Sequence, residues 1–125
     1  MNIEILFEDN DIVVCIKPCG ILSQGDAKNS ESMISLLEKL CNSPIFPLHR
    51  LDREVGGVMV YAKNKYSAAE ISKAIANNSF KKEYIALVHC VPEILCGEMH
   101  DFLFKDSNKN KSFVVKRERK GVKKA

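Results

Sequence analysis

The segment His49-Arg50-Leu51-Asp52-Arg53-Glu54-Val55-Gly56-Gly57 gathers an imidazole, two guanidinium groups, a carboxylate and a glycine pair into one short connection. Loops held between strands are where reactive groups tend to sit, because the scaffold fixes them while leaving them accessible. A positioned, ionised carboxylate at Asp52, flanked by Arg50 and Arg53, can act as a nucleophile, as a general base, or as a stabiliser of positive charge on a sugar. The same residues also fit a plain surface ion-pair cluster, which local chemistry alone favours because such clusters are common and contribute little. A hydrolase built on His49 and Asp52 ranks last, since neighbouring loop positions do not by themselves supply the oriented geometry of a catalytic pair.

The elements that must position this loop follow from hydrophobic periodicity. Ile3–Phe7 and Ile12–Ile16 read as two strands, with Glu8-Asp9-Asn10-Asp11 as hairpin turn chemistry between them. Lys17-Pro18-Cys19-Gly20 breaks the pattern, and residues 23–30 read as a polar loop. Met33, Leu36, Leu37 and Leu40 recur at helical spacing, with Ser30 as the expected N-cap and Asn42-Ser43-Pro44 as the stop. Val58–Ala62 reads as a buried strand, and Ala68, Ile71 and Ile75 mark a second helix ending at Asn77-Asn78. Phe80 to His89 has the clearest alternation in the chain: Lys82, Tyr84, Ala86 and Val88 share one face, Glu83, Ile85 and Leu87 the other. Two more strands are expected near 98–104 and 112–117. Two flanking helices and six or seven strands predict an α+β fold with a mixed, largely antiparallel sheet.

At 125 residues, 46% hydrophobic and 28% charged, the chain has the length of one domain and enough apolar residues for a core. No apolar run approaches the roughly 18 residues of a membrane-spanning helix. The start, Met1-Asn2-Ile3-Glu4, lacks signal-peptide character. Five cysteines without a C-x-x-C pair argue against a disulfide framework or zinc knuckle and for reduced thiols, hence a cytoplasmic location. Residues 105–125 hold nine Lys and Arg against two acidic residues, a charge suited to a phosphate backbone or to a solvated surface.

Four stretches in order give these elements a family resemblance. His49-Arg50-Leu51-Asp52-Arg53, with Gly57 and Ala62-Lys63, closely resembles the catalytic signature of the RluA-type RNA pseudouridine synthases. Leu6–Asp9 through Ile12–Gly20 resembles the opening strand pair of that family, with its Lys-Pro-x-Gly. Phe80–Val88 resembles its Lys-x-Tyr strand, and Lys120–Ala125 resembles the start of a further strand. The resemblance implies an isomerase that converts uridine in rRNA or tRNA to pseudouridine without a metal or cofactor. It implies Asp52 as the essential aspartate, Arg50 as the residue entering the RNA stack when the nucleotide turns out, and Tyr84 as the aromatic packing on the flipped uracil. Lys82, on the face of Tyr84, is the further candidate for an RNA phosphate contact. His49 is expected to position and not to catalyse, and Lys17 and Pro18 to shape a loop near the site.

The pattern also departs from the family. Val55 and Gly56 stand where a Thr-Ser pair is usual, which removes two hydroxyl groups behind Asp52. After Lys105 there is no Arg-x-His-Gln-like run of the kind that, in the family, supplies the arginine pairing with the aspartate. Residues 1–125 therefore read as one catalytic domain truncated on its C-terminal side. The alternative outcome is a catalytically incomplete fragment that only binds RNA, or that self-associates through an exposed sheet edge.

Overall fold

Asp9 makes the first hairpin. Its carboxylate accepts from the backbone N–H groups of Asp11 (2.8 Å) and Ile12 (2.7 Å), and its own N–H donates to the Ile12 carbonyl at 3.1 Å. This Asx-type turn joins strand β1 (Ile5–Glu8) to β2 (Ile12–Lys17). In the computed structural model, which describes residues 2–25, 30–109 and 111–125, β2 then pairs antiparallel with β4 (Gly57–Ala62). The short β3 (Phe46–Pro47) closes a four-stranded sheet in the order β1-β2-β4-β3. Branched residues on β2 and β4 suit a pleated, half-buried surface. The period-two rule then turns Val13, Cys15 and Lys17 inward on one strand, and Met59 and Tyr61 on the other.

Helix α1 (Met33–Cys41) covers that buried face with Met33, Leu36 and Leu37, which join Ile3, Val13, Cys15, Ile21, Ile45, Met59 and Tyr61 in one core. Its N-cap is Ser32 and not Ser30. Ser35 N–H donates to Ser32 Oγ (3.4 Å) while Ser32 N–H donates to Ser35 Oγ (3.0 Å), a reciprocal box available only to residues three apart. Asn42 ends the helix in the left-handed region, at φ 47°. Helix α2 (Lys65–Ala76) is capped by Asn64, whose side chain accepts from Ser67 N–H at 2.9 Å, and Ser67 Oγ donates to Asp11 at 2.9 Å. Of the polar loop expected over 23–30, residues 26–29 lie outside the described residues.

The chain divides into two compact units, Met1–Tyr84 and Ile85–Ala125. The second is a three-stranded antiparallel sheet in the order β6-β5-β7, from β5 (Phe102–Asp106), β6 (Lys111–Val115) and β7 (Val122–Lys124). The α+β class expected from the sequence is observed, with every named strand pairing antiparallel and one isolated parallel bridge, Leu22 to Ser32.

One expectation fails. Residues 80–89 form no strand, and belong to neither sheet. Alternation specifies two faces, but a strand exists only where a neighbouring backbone answers its N–H and C=O groups. With no ladder partner among the described residues, Ile85 and Leu87 are fully exposed. No helix among the described residues is long and apolar enough to cross a membrane.

Because Leu37 is wholly buried at the centre of the α1–sheet contact, Leu37→Ala is expected to cost about 2–5 kcal/mol. A urea titration followed by far-ultraviolet circular dichroism checks this. A shift of the midpoint worth less than about 1 kcal/mol would mean that this helix does not anchor the sheet.

Candidate active site

The β3–β4 connection carries Asp52, and its placement begins with a lysine on the wrong side of a sheet. The alternation that buries Val13 and Cys15 also buries Lys17, whose side chain is inaccessible to solvent. A desolvated ammonium must find acceptors. Lys17 Nζ donates to the carbonyls of Val55 (2.6 Å), Pro18 (3.0 Å) and Arg53 (3.1 Å). The register Lys17 to Gly57 brings the end of β2 beneath the loop, which makes these bonds reachable. Burial pushes the Lys17 pKa below its usual value, opposed by the charges of Cys19, Glu54 and Asp52.

The rest of the loop is tied down just as locally. Gly20 N–H donates to the Arg53 carbonyl and Arg53 Nε donates back to the Gly20 carbonyl, both at 2.8 Å. Ser23 Oγ donates to the Leu51 carbonyl (2.7 Å) and accepts from Leu51 N–H (3.0 Å), while Tyr61 Oη donates to the Ser23 carbonyl at 3.0 Å. Val55 N–H donates to the Asp52 carbonyl at 3.1 Å, closing a turn. A side chain at Gly56 would stand 3.1 Å from Cys19 Sγ and 3.2 Å from the Lys17 carbonyl, so glycine permits the close approach of the Lys-Pro-x-Gly segment.

The Asp52 side chain itself is exposed, and among the described residues it makes no ion pair and no side-chain hydrogen bond. The surface ion-pair reading of Arg50, Asp52 and Arg53 is therefore wrong. Arg53 is turned away to Gly20: its Nε donates to the Gly20 carbonyl, and the Gly20 N–H already donates to the Arg53 carbonyl. Asp52 and Arg50 line one open cavity of about 370 Å³ with Leu22, Ser23, Gln24, Gly25, Leu51 and Arg53. Tyr84 and Lys82 are not in that lining; both are exposed, Tyr84 by 65%. No group of three or more His, Cys, Asp or Glu among the described residues could hold a metal ion.

His49 closes the far side of the loop. Val60 N–H donates to its Nε2 at 3.4 Å, and its ring lies 5.6 Å from the Phe80 ring. Nδ1 is buried without a partner among the described residues. Burial, and then the Lys82 ammonium, push its pKa below the usual 6.5. Lys82 is thus brought near His49, next to Arg50 in the chain, whereas nothing in the described contacts links Tyr84 to Asp52. Ser23 and Tyr61 were missed by sequence reasoning. Their signal is long-range, since Ser23 bonds a residue 28 positions away from within a stretch that reads only as polar loop.

A family model described as RNA pseudouridylate synthase matches residues 11–125. The chain belongs to that family. An uncharacterized RNA pseudouridine synthase of Mycoplasma pneumoniae is 39% identical over 97 residues, covering 76% of this chain and 31% of that protein. A ribosomal large subunit pseudouridine synthase C of Buchnera aphidicola is 33% identical over 119 residues, 94% of this chain and 38% of that one. A tRNA pseudouridine synthase C of Vibrio cholerae is 36% identical over 89 residues, 69% and 36% respectively. The solved structure of human RNA pseudouridylate synthase domain containing 4 superimposes with a TM-score of 0.73 at 25% identity, over 97% of this chain and 50% of that one. The chain thus spans about a third of the length of the curated relatives it matches. The resemblance to RluA-type pseudouridine synthases holds, and so does the α+β class it implied.

Two outcomes test this reading of the loop. Lys17→Met should destabilise the first unit by about 3 kcal/mol, since three carbonyls lose a charged donor, whereas the exposed Lys39→Met should stay within about 0.5 kcal/mol. Paired urea midpoints decide between them. For His49 the folded state holds its proton less tightly than the unfolded state, so stability from this group is complete above about pH 6.5 and is lost as pH falls through the lowered value. Glu8 and Asp9, also lowered, act further down, below 4.5 and 3.8. Urea midpoints measured between about pH 7 and 5 should therefore fall in the wild type and flatten in His49→Gln.

Proposed function

We propose that this chain carries the uridine-isomerising site of an RNA pseudouridine synthase, acting on uridine in rRNA or tRNA. The observation that carries the reading is an exposed, unpaired Asp52 carboxylate in a loop whose backbone is fastened on both sides, in a chain of this family. In the isomerisation the N1–C1′ bond of uridine breaks, a C5–C1′ bond forms, C5 loses its hydrogen to solvent as a proton, and N1 takes up a proton in exchange. Asp52 either attacks the sugar or the uracil, or supports the positive charge that develops as the glycosidic bond opens; each route returns it as a free carboxylate. Arg50, on the same cavity, fills the stack that the turned-out nucleotide leaves and meets phosphate with its guanidinium plane. Tyr84 packs on the uracil, a contact worth roughly 1–3 kcal/mol, and its large exposure leaves the ring free to do so. Lys82 contacts an RNA phosphate. The names of the Buchnera and Vibrio relatives support both RNA classes as substrates.

Release of tritium from RNA carrying 5-tritiated uridine measures the reaction. Asp52→Asn should lower it on the order of 10³-fold or more while shifting stability by less than about 0.5 kcal/mol in the urea midpoint, because the exposed carboxylate makes no hydrogen bond or ion pair among the described residues. Wild-type turnover that survives this substitution would show that another group does the chemistry.

A second reading, association through a sheet edge, has its own observation. The edge strand β1 exposes Ile5, Leu6 and Phe7 together. Light scattering coupled to gel filtration should then give a dimer that Leu6→Lys converts to a monomer; a wild-type monomer at high concentration removes this reading.

A further inference from the structure

The face of the second unit opposite its phenylalanines has no role in the site described above. Along β5, Phe102, Phe104 and Asp106 alternate with Leu103 and Lys105. The ladder register sets Lys105 opposite Ser112 on β6 and Leu103 opposite Lys123 on β7 and Val114 on β6. Extending the β5–β7 register by one residue puts Gly121 beside Lys105. A shallow cavity of about 290 Å³ is lined by Leu103, Lys105, Ser112, Gly121 and Lys123 together with Lys124 and Ala125, the Lys124 ammonium being held at Glu118. Gly121, at φ 87°, contributes no side chain to this row, and a Cβ there would meet the Phe104 ring at 3.8 Å.

The charges on the two faces are disposed differently. On the phenylalanine face the cations are engaged: Arg119 lies 5.0 Å over the Phe104 ring, and Lys124 lies 6.0 Å from the Phe102 ring and 3.5 Å from Glu118. In the cavity, Lys105 and Lys123 are exposed and make no ion pair among the described residues. Asp101 sits at the end of the same face and neutralises neither, being in no ion pair among those residues. Two ammonium-bearing side chains and a hydroxyl thus line one hollow, and among the described residues no carboxylate pairs with either lysine. Like charges held on one face raise the local potential and favour an anion.

We propose that Lys105, Lys123 and Ser112 form a phosphate-backbone contact for RNA, separate from the Asp52 cavity. The choice of RNA rests on the reading given under Proposed function; the anion preference rests on the hollow itself. Two lysines on adjacent strands suit successive phosphates of a single strand. Ser112 Oγ donates to a phosphate oxygen. The contact reads no sequence, since phosphates carry none.

Fluorescence anisotropy of a labelled single-stranded RNA oligonucleotide with the full chain, across a salt series, tests this. Releasing counterions at two phosphates contributes about 1.4 to the slope of log affinity on log salt, so wild type should lose about sevenfold more affinity between about 50 and 200 mM salt than Lys105→Gln/Lys123→Gln does. Lys105→Arg/Lys123→Arg should keep the wild-type slope, and Lys39→Gln/Lys65→Gln on the helices should keep it too. Equal urea midpoints exclude unfolding as the cause. A Gln variant with the wild-type slope, a helix variant that lowers the slope as much, or displacement of RNA by low-millimolar inorganic phosphate each overturns the proposal. The tritium-release assay separates the two readings: the expected salt slopes without tritium release leave the phosphate contact standing and remove the isomerisation, whereas tritium release with an unchanged slope in the Gln variant does the reverse.

Discussion

A buried ammonium holds the loop that matters. Period-two geometry sends the last residue of β2 into the core, and that residue is Lys17. Its charge is costly there unless oxygen atoms replace water, and the three carbonyls that do so belong to Pro18, Arg53 and Val55. Two of them flank the turn at Asp52. The cost of desolvating one lysine thus becomes a constraint on where a distant loop can sit. Ser23 adds the corresponding constraint on the other side through both backbone groups of Leu51. The hydroxyl of Tyr61 then fixes Ser23 from the floor of the sheet.

This arrangement separates holding from reacting. Every anchor of the loop acts on backbone atoms, and the Asp52 carboxylate takes part in none of them. Arg53, the neighbour best placed in sequence to neutralise it, is used on Gly20 instead. A group that must meet a developing charge works best when its position is fixed in advance and its oxygens are uncommitted. The substitution of the usual Thr-Ser pair by Val55-Gly56 fits the same logic. The Val55 carbonyl is the shortest of the Lys17 acceptors, and the missing side chain at Gly56 gives Cys19 and the Lys17 backbone their room.

The legible parts of the sequence are those whose signal is local. The Asx turn at Asp9, the apolar stripe of α1 and the alternation of β2 and β4 each depend on residues within a few positions. The Asp52 loop was legible through its motif and its place before a buried strand. Ser23 was not, because a serine in a polar run carries no mark of the leucine it will bond 28 residues later. Residues 80–89 failed in the opposite direction. Their alternation is as regular as that of β2, yet β2 has β1 and β4 beside it, whereas 80–89 has no ladder among the described residues.

That failure bears on Tyr84. A tyrosine on a paired strand would have its backbone fixed by the ladder and its ring aimed by the pleat. Tyr84 lacks the ladder, so only sequence proximity to Phe80, which packs on His49, ties it to the loop. Asp52 and Tyr84 therefore differ in kind: one is held by five hydrogen bonds to the backbone of Leu51, Asp52 and Arg53, the other by none that the described residues provide. Stacking on a uracil needs little more than an accessible ring, because every base offers a π-face. Attack or charge stabilisation at a single atom needs a fixed geometry, where a displacement of about 1 Å can cost on the order of 10²-fold in rate. Under the proposed roles, the constraints fall on the residue whose chemistry is least tolerant, and the more tolerant contact is left free.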